Sequence, residues 1–133
     1  MIGDGFSDPE NQLDYAGYLY GLGMVDKKLR TEMENEQEKV KLLIKSGKWK
    51  LAQHLSDRLI HRITELLGSV NLFDYTSDDL ELENSFVNFL TENKMRTRIH
   101  VGRITYNMIS TGVENQFQMD EMRSVRPWIE ELL

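Results

Sequence analysis

Apolar residues recur three and four positions apart over most of the chain, and that spacing predicts helices. The clearest run is Ala52, Leu55, Leu59, Ile63 and Leu66, with steps of 3, 4, 4 and 3. It predicts a helix from about Lys48 to Leu67, with Trp49, Leu51, Ile60 and Leu67 widening its face and Gly68 stopping it. Before it, Leu29, Met33, Val40, Leu43 and Ile44 predict a helix from about Lys27 to Ser46, started by Asp26 and ended by Gly47. Between Met33 and Val40 the sequence is ENEQEK, all polar, so this helix is expected to be exposed on every side there, or frayed. One glycine between two helices predicts a tight antiparallel hairpin.

Residues 1–8 read as the end of a buried strand and a glycine turn: Met1 and Ile2 are apolar, and Gly3 and Gly5 bracket Asp4. Asp8 is a good N-cap, Pro9 suits the first helical position, and Glu10 complements the helix dipole. Leu13, Ala16, Leu19 and Tyr20 then carry one helix to about Gly21–Gly23, so residues 9–68 hold three helices. From 69 to 107 the pattern breaks into short pieces. Val70–Thr76 reads as a short strand or extended arm, Ser77–Glu83 as an acidic connector, and Asn84–Glu92 as a short helix. Asn93 caps a further turn through Lys94–Ile99 that ends near His100–Gly102, and Arg103–Asn107 reads as extended. In residues 108–133, Ser110–Gly112 is a loop and Val113–Gln118 one helical turn. A last helix is expected from Met119 to Leu133, which Pro127 kinks or restarts and Trp128 anchors in the core.

Composition narrows the function classes. The chain has 133 residues, 40% of them hydrophobic, which suits one domain-sized core and is too few for a membrane protein. No apolar run approaches the roughly 20 residues that span a bilayer. The net charge of −6, with cations interleaved among acids, argues against a general nucleic-acid binder. The absence of cysteine excludes a disulfide framework, a zinc–thiolate site and a cysteine nucleophile. The first residues lack a basic stretch followed by an apolar core, so they do not read as a signal peptide.

The N-terminal stretch also matches a known pattern. Ile2–Asp26, IGDGFSDPENQLDYAGYLYGLGMVD, resembles the segment of serine carboxypeptidases that follows the nucleophile elbow and its helix, above all in the vitellogenic-type branch. Phe89–Leu90 with Arg98–Ile99–His100–Val101–Gly102, and then Ser124–Val125–Arg126–Pro127–Trp128–Ile129, resemble later landmarks of that family in the same order and at similar separations. The resemblance implies a mainly α segment: the helical cap or insertion region of an α/β-hydrolase, with a helix hairpin and one or two short extended segments. It implies a parent enzyme that removes C-terminal residues from peptides through a serine acyl-enzyme, in a secreted or lysosomal, mildly acidic setting. A peptide substrate is the implied partner. No cofactor, metal, nucleic acid or membrane is implied, and a homodimer is left open. Related enzymes often carry a glycosylated asparagine beside the His-Val-Gly landmark; Arg103 stands there instead, and the chain has no Asn-x-Ser/Thr sequon.

Serine chemistry on that fold needs a Gly-x-Ser-x-Gly elbow, whose strained turn exposes the serine and supplies an oxyanion-hole N–H. No such pentad occurs here. In the resembled family the serine precedes the Gly3–Gly5 turn, and the aspartate and histidine follow the Pro127–Trp128 helix. This stretch is therefore expected to hold no catalytic residue and to be inactive alone. Residue-by-residue matching puts Phe6, Leu13 and Ala16 at positions that line the pocket for the side chain next to the C-terminal residue; plain core contacts are the alternative for all three. Asp4 either hydrogen-bonds the turn or caps it.

His54, Asp57 and His61 share a helix face at i, i+3 and i+7. With no fourth ligand signalled, a solvated face is the better reading than a metal site. His100 is expected to pack or hydrogen-bond. Lys39, Lys41, Lys45, Lys48 and Lys50 read as a solvated face or a partner patch. A rival reading of the whole is a truncated paralogue, catalytically inactive and retained as a helical binding module.

Overall fold

The computed structural model describes residues 5–68, 75–76, 85–107 and 109–133. The described residues form helices and turns, with no strand among them. The chain divides into two units: Met1–Gly68 with Asn115–Leu133, and Ser69–Glu114. The expected strand end at Met1–Ile2, Asp4, and most of the Val70–Thr76 arm lie outside the described residues.

In the first unit the single helix expected from Pro9 to Gly23 is two. α1 spans Pro9–Gln12 and α2 spans Tyr15–Gly21. The break at Leu13–Asp14 lets Leu13, Ala16 and Leu19 all reach the core, where they are 1%, 0% and 2% exposed. Asp14 restarts the helix by accepting from the Gly17 N–H at 3.3 Å. A second amide of that new N-terminus is satisfied from outside the helix: the Ala16 N–H donates to the buried Gln37 Oε1 at 2.8 Å. A helix start leaves such donors orphaned, so Gln37 acts as a remote cap.

α3 (Lys27–Lys45) begins at Asp26, whose carboxylate accepts from the Leu29 N–H at 2.7 Å. The polar run ENEQEK neither frays nor stays wholly exposed. Its buried line is Met33, Gln37, Val40 and Ile44, spaced 4, 3 and 4, and Gln37 bridges the apolar gap. α3 closes with a Schellman motif on Gly47, at φ 70°: the Lys48 N–H donates to Leu43 O and the Gly47 N–H to Ile44 O, both at 2.9 Å.

α4 (Trp49–Leu67) follows at once. Its buried line is Ala52, Ser56, Leu59 and Ile63, again 4, 3 and 4, with Gln53 beside it. The face is therefore rotated from the predicted stripe: Leu55 is only partly buried and Leu66 is 52% exposed. Small side chains at Ala52 and Ser56 take the inner positions and larger leucines flank them. Arg62 fixes the hairpin as antiparallel. Near the far end of α4, it donates back to Glu36 Oε1 at 2.6 Å and Glu32 Oε2 at 2.7 Å on α3.

Leu13, Val40, Ile44, Ala52 and Met122 form one packed cluster, with Tyr15, Leu43, Trp49 and Leu55 against it. Met122, 1% exposed, comes from the turn after α7 (Thr111–Phe117), so the late segment completes the early core. Each fully buried large side chain there contributes roughly 1.5–3 kcal/mol before entropy is subtracted.

The long last helix expected over Met119–Leu133 is not formed. Turns occupy residues 118–123, and α8 spans only Arg126–Glu131, with Pro127 in its first turn. Proline tolerates that position because its missing N–H would be unpaired there anyway. Trp128 is not a core anchor: it is 69% exposed.

The second unit holds α5 (Ser85–Thr91) and α6 (Asn93–Arg98). Asn93 is the first residue of α6, and the cap is Glu92, without a side-chain bond. α6 also ends in a Schellman motif, but the left-handed residue is His100, at φ 58°. The Val101 N–H donates to Arg96 O and the His100 N–H to Thr97 O, both at 3.3 Å. The Arg96 guanidinium then grips the loop, donating to Gly102 O at 2.9 Å and to Ile104 O. Phe86 and Tyr106 meet edge to face, centroids 6.3 Å apart. Arg103–Asn107 is non-helical, and no described residue of this unit is buried.

Candidate functional site

Residues 5–8 form a loop held by several hydrogen bonds. Gln12, at the end of α1, reaches back over it. Its Oε1 accepts from the Ser7 N–H at 2.8 Å and the Asp8 N–H at 2.7 Å, while its Nε2 donates to Gly5 O at 3.0 Å. One side chain thus ties three residues of the loop, Gly5, Ser7 and Asp8. Asp8 stands at the N-cap position without capping. Its carboxylate accepts from Asn11 Nδ2 at 2.7 Å instead.

The late segment closes the other edge. The Val125 N–H donates to Ser7 O at 2.9 Å, and Arg126 lies 3.9 Å from the Asp8 carboxylate. Arg126 also pairs with Glu130 at 2.6 Å. That hydrogen bond, with the charges of Glu130 and Asp8, raises the pKa of its guanidinium further, so it stays cationic at any ordinary pH.

The three proposed pocket residues separate here. Leu13 and Ala16 are enclosed in the core, while Phe6 is 42% exposed on the turn that Gln12 holds. Gln12 escaped the sequence reading, which looked for Asp8 as the cap. The signal was a glutamine four residues after Asp8, long enough to fold back over the turn.

The other candidates stay dispersed. His54, Asp57 and His61 are all exposed on α4, and His61 pairs with Glu65 at 3.4 Å. Among the described residues no group of three or more His, Asp or Glu side chains is placed to hold a metal ion. Of the lysines, Lys41 pairs with Glu38 and Lys45 with Glu10, each at 3.2 Å; Lys39, Lys48 and Lys50 are exposed. An open groove of about 350 Å³ runs beside the Arg62 cluster, lined by Glu36, Leu55, Arg58 and Glu65 among others. Hydrogen bonding to Glu32 and the charge of Glu36 raise the Arg62 pKa, so its role is that of a fixed cation between two acids. No described helix is long and apolar enough to cross a membrane.

Comparison with known proteins gives the turn its context. The chain is 36% identical over 141 residues to "Venom serine carboxypeptidase" of Apis mellifera, covering 98% of this chain. It is 28% identical over 144 residues to "Vitellogenic carboxypeptidase" of Aedes aegypti, covering 99%. Over nearly its whole length the chain is similar to serine carboxypeptidases. It spans about 30% of the length of the curated relatives it matches. No family model matches it, and no solved structure does.

Within this stretch, two of the three family-like motifs meet. Ser124–Ile129 packs its Val125 amide and Arg126 onto the Ser7–Asp8 turn of the first motif. The third, Arg98–Gly102, is the left-handed close of α6 in the other unit.

Proposed function

We propose that this chain is part of a serine-type carboxypeptidase that hydrolyses C-terminal residues from peptides through an acyl-enzyme. In that enzyme it forms the helical cap beside the substrate channel and one wall of the side-chain pocket. The nucleophile, aspartate and histidine lie in sequence flanking this stretch, so the 133 residues alone are inactive. A cap of this kind sorts side chains and keeps water from the acyl-transfer step.

The observation that carries the reading is the near-complete alignment with serine carboxypeptidases over about 30% of their length. Phe6, Leu13 and Ala16 stand at the pocket-lining positions of that reading, Phe6 on the exposed loop and Leu13 and Ala16 behind it in the core. The second unit, with no buried residue among those described, suits a segment covered by the rest of an enzyme. A secreted or lysosomal location goes with the family reading.

Sequencing the flanking coding DNA tests this. The expected result is an open frame running upstream into Gly-x-Ser-x-Gly and downstream into an aspartate and then a histidine. A stop codon directly after Leu133 with no elbow upstream would end the enzyme reading for this product. It would leave an inactive truncated paralogue acting as a helical binding module, which the closed core of the first unit also favours.

A further inference from the structure

We propose that Gln12 is the residue that sets the position of the pocket wall, and so tunes which penultimate side chain the peptidase prefers. This rests on the pocket reading of Phe6. Phe6 sits in a loop with no helix or strand to hold it, and its neighbours Gly5, Ser7 and Asp8 each bond the Gln12 amide. Oxygen and nitrogen are used at once: Oε1 gathers the Ser7 and Asp8 amides, and Nε2 fixes the Gly5 carbonyl on the other side of Phe6. The two sides of Phe6 are therefore anchored to one planar group. The Val125 N–H adds a further bond, to Ser7 O at 2.9 Å. The backbone on both sides of Phe6 is held in this way, and its ring, 42% exposed, projects from that held loop. Discrimination by an apolar wall depends on such placement, because a methylene's worth of misfit changes relative rates by roughly 10- to 200-fold.

An amide both accepts and donates, whereas an ionised carboxylate of the same length only accepts, which makes substitutions informative. Gln12→Glu keeps the two bonds accepted by Oε1 and loses the one donated to Gly5. Gln12→Ala loses all three. In the 133-residue chain, amide exchange at Ser7 and Asp8 is expected to accelerate about tenfold in Gln12→Ala, the order of one lost hydrogen bond of this kind. Gln12→Glu is expected to retain most of the protection. Exchange unchanged in Gln12→Ala would overturn the anchoring.

In the full-length enzyme, kcat/KM is compared for two peptides that differ only in a large apolar residue or alanine before the C-terminal residue. Phe6→Ala is expected to lower the preference for the large residue about tenfold. Gln12→Ala should lower it several-fold through KM, with the alanine peptide unaffected and Gln12→Glu intermediate. If Phe6→Ala leaves the preference unchanged, the pocket reading fails, and this inference with it. If Phe6→Ala lowers it and Gln12→Ala leaves it within twofold, the pocket stands and the role of Gln12 is refuted. An equal loss on both peptides in Gln12→Ala also refutes it, because that is the mark of general destabilisation.

Discussion

Replacing Gln37 with methionine isolates a single hydrogen bond in the middle of the core. The side chain is 3% exposed, and its Oε1 accepts the Ala16 N–H at 2.8 Å. Methionine has nearly the same length and fills the same space, so no large cavity forms. The loss is the bond itself, about 1 kcal/mol net, with the Ala16 donor left buried and unpaired at about 1–3 kcal/mol. The apolar replacement returns part of this through better burial, so about 1–3 kcal/mol of destabilisation is expected at the start of α2. The right assay is native-state amide exchange, which reads local opening without requiring a single unfolding transition. The Leu22 and Met24 amides, bonded to Tyr18 O and Leu19 O, report whether α2 is closed. Their exchange should accelerate roughly five- to hundredfold, since 1.4 kcal/mol is a factor of ten. Asp14→Ala, which removes the exposed local cap at 3.3 Å, should have the smaller effect of about 0.5–1 kcal/mol. Equal protection of α2 in Gln37→Met and the parent chain, or a larger effect from Asp14→Ala, would refute the remote cap.

Four further outcomes are expected. His100→Gly should stabilise the end of α6 by about 0.5–1 kcal/mol, because glycine adopts φ 58° without the Cβ penalty but loses more entropy on folding; a rise in helix content by circular dichroism checks it. Burial raises the Tyr15 pKa above its usual 10.0, so its share of stability is complete below pH 10 and is lost as the pH rises through the folded value. Tyr15→Phe should flatten the alkaline limb of an unfolding-versus-pH curve. Arg62→Met should cost about 1 kcal/mol at low salt and less as salt is added, since all three side chains of the Arg62–Glu32–Glu36 cluster are part-exposed; a salt series of thermal melts reads it. Leu59→Ala, at 1% exposure, should cost about 2–5 kcal/mol and broaden or abolish the melt of the hairpin unit.

The hairpin was legible because its cues are local. Asp26, Gly47 and Gly68 mark its ends, and periodic leucines mark its helices. What escaped detection depends on partners distant in sequence. Gln37 looks like part of a solvated run until Ala16 supplies a buried donor 21 residues away. Glu36 has Lys39 within helical reach, yet pairs with Arg62, 26 residues on, because the hairpin brings a bidentate group to it. The break at Leu13–Asp14 was hidden because the apolar spacing runs through it; only the need to seat Leu13 and Ala16 in the same core reveals it. Pro127 signals either a kink or a restart, and the structure takes the restart, with α8 beginning at Arg126. At the candidate site, Phe6 could be named from the motif, whereas Gln12 could not, since its importance lies in backbone groups it reaches by folding back.

The first unit is assembled from two pieces of chain, with residues 69–114 leaving and returning between them. The excursion starts after a helix that Gly68 has already ended, and it finishes before Met122 enters the packed cluster. Changes of length there that leave α5, α6 and the Arg96 grip in place should therefore reach the first unit mainly as closure entropy, which grows by only about 0.6 kcal/mol for each doubling. That makes this excursion the place where such a chain can gain or lose residues and still keep its hairpin and its Phe6 turn intact.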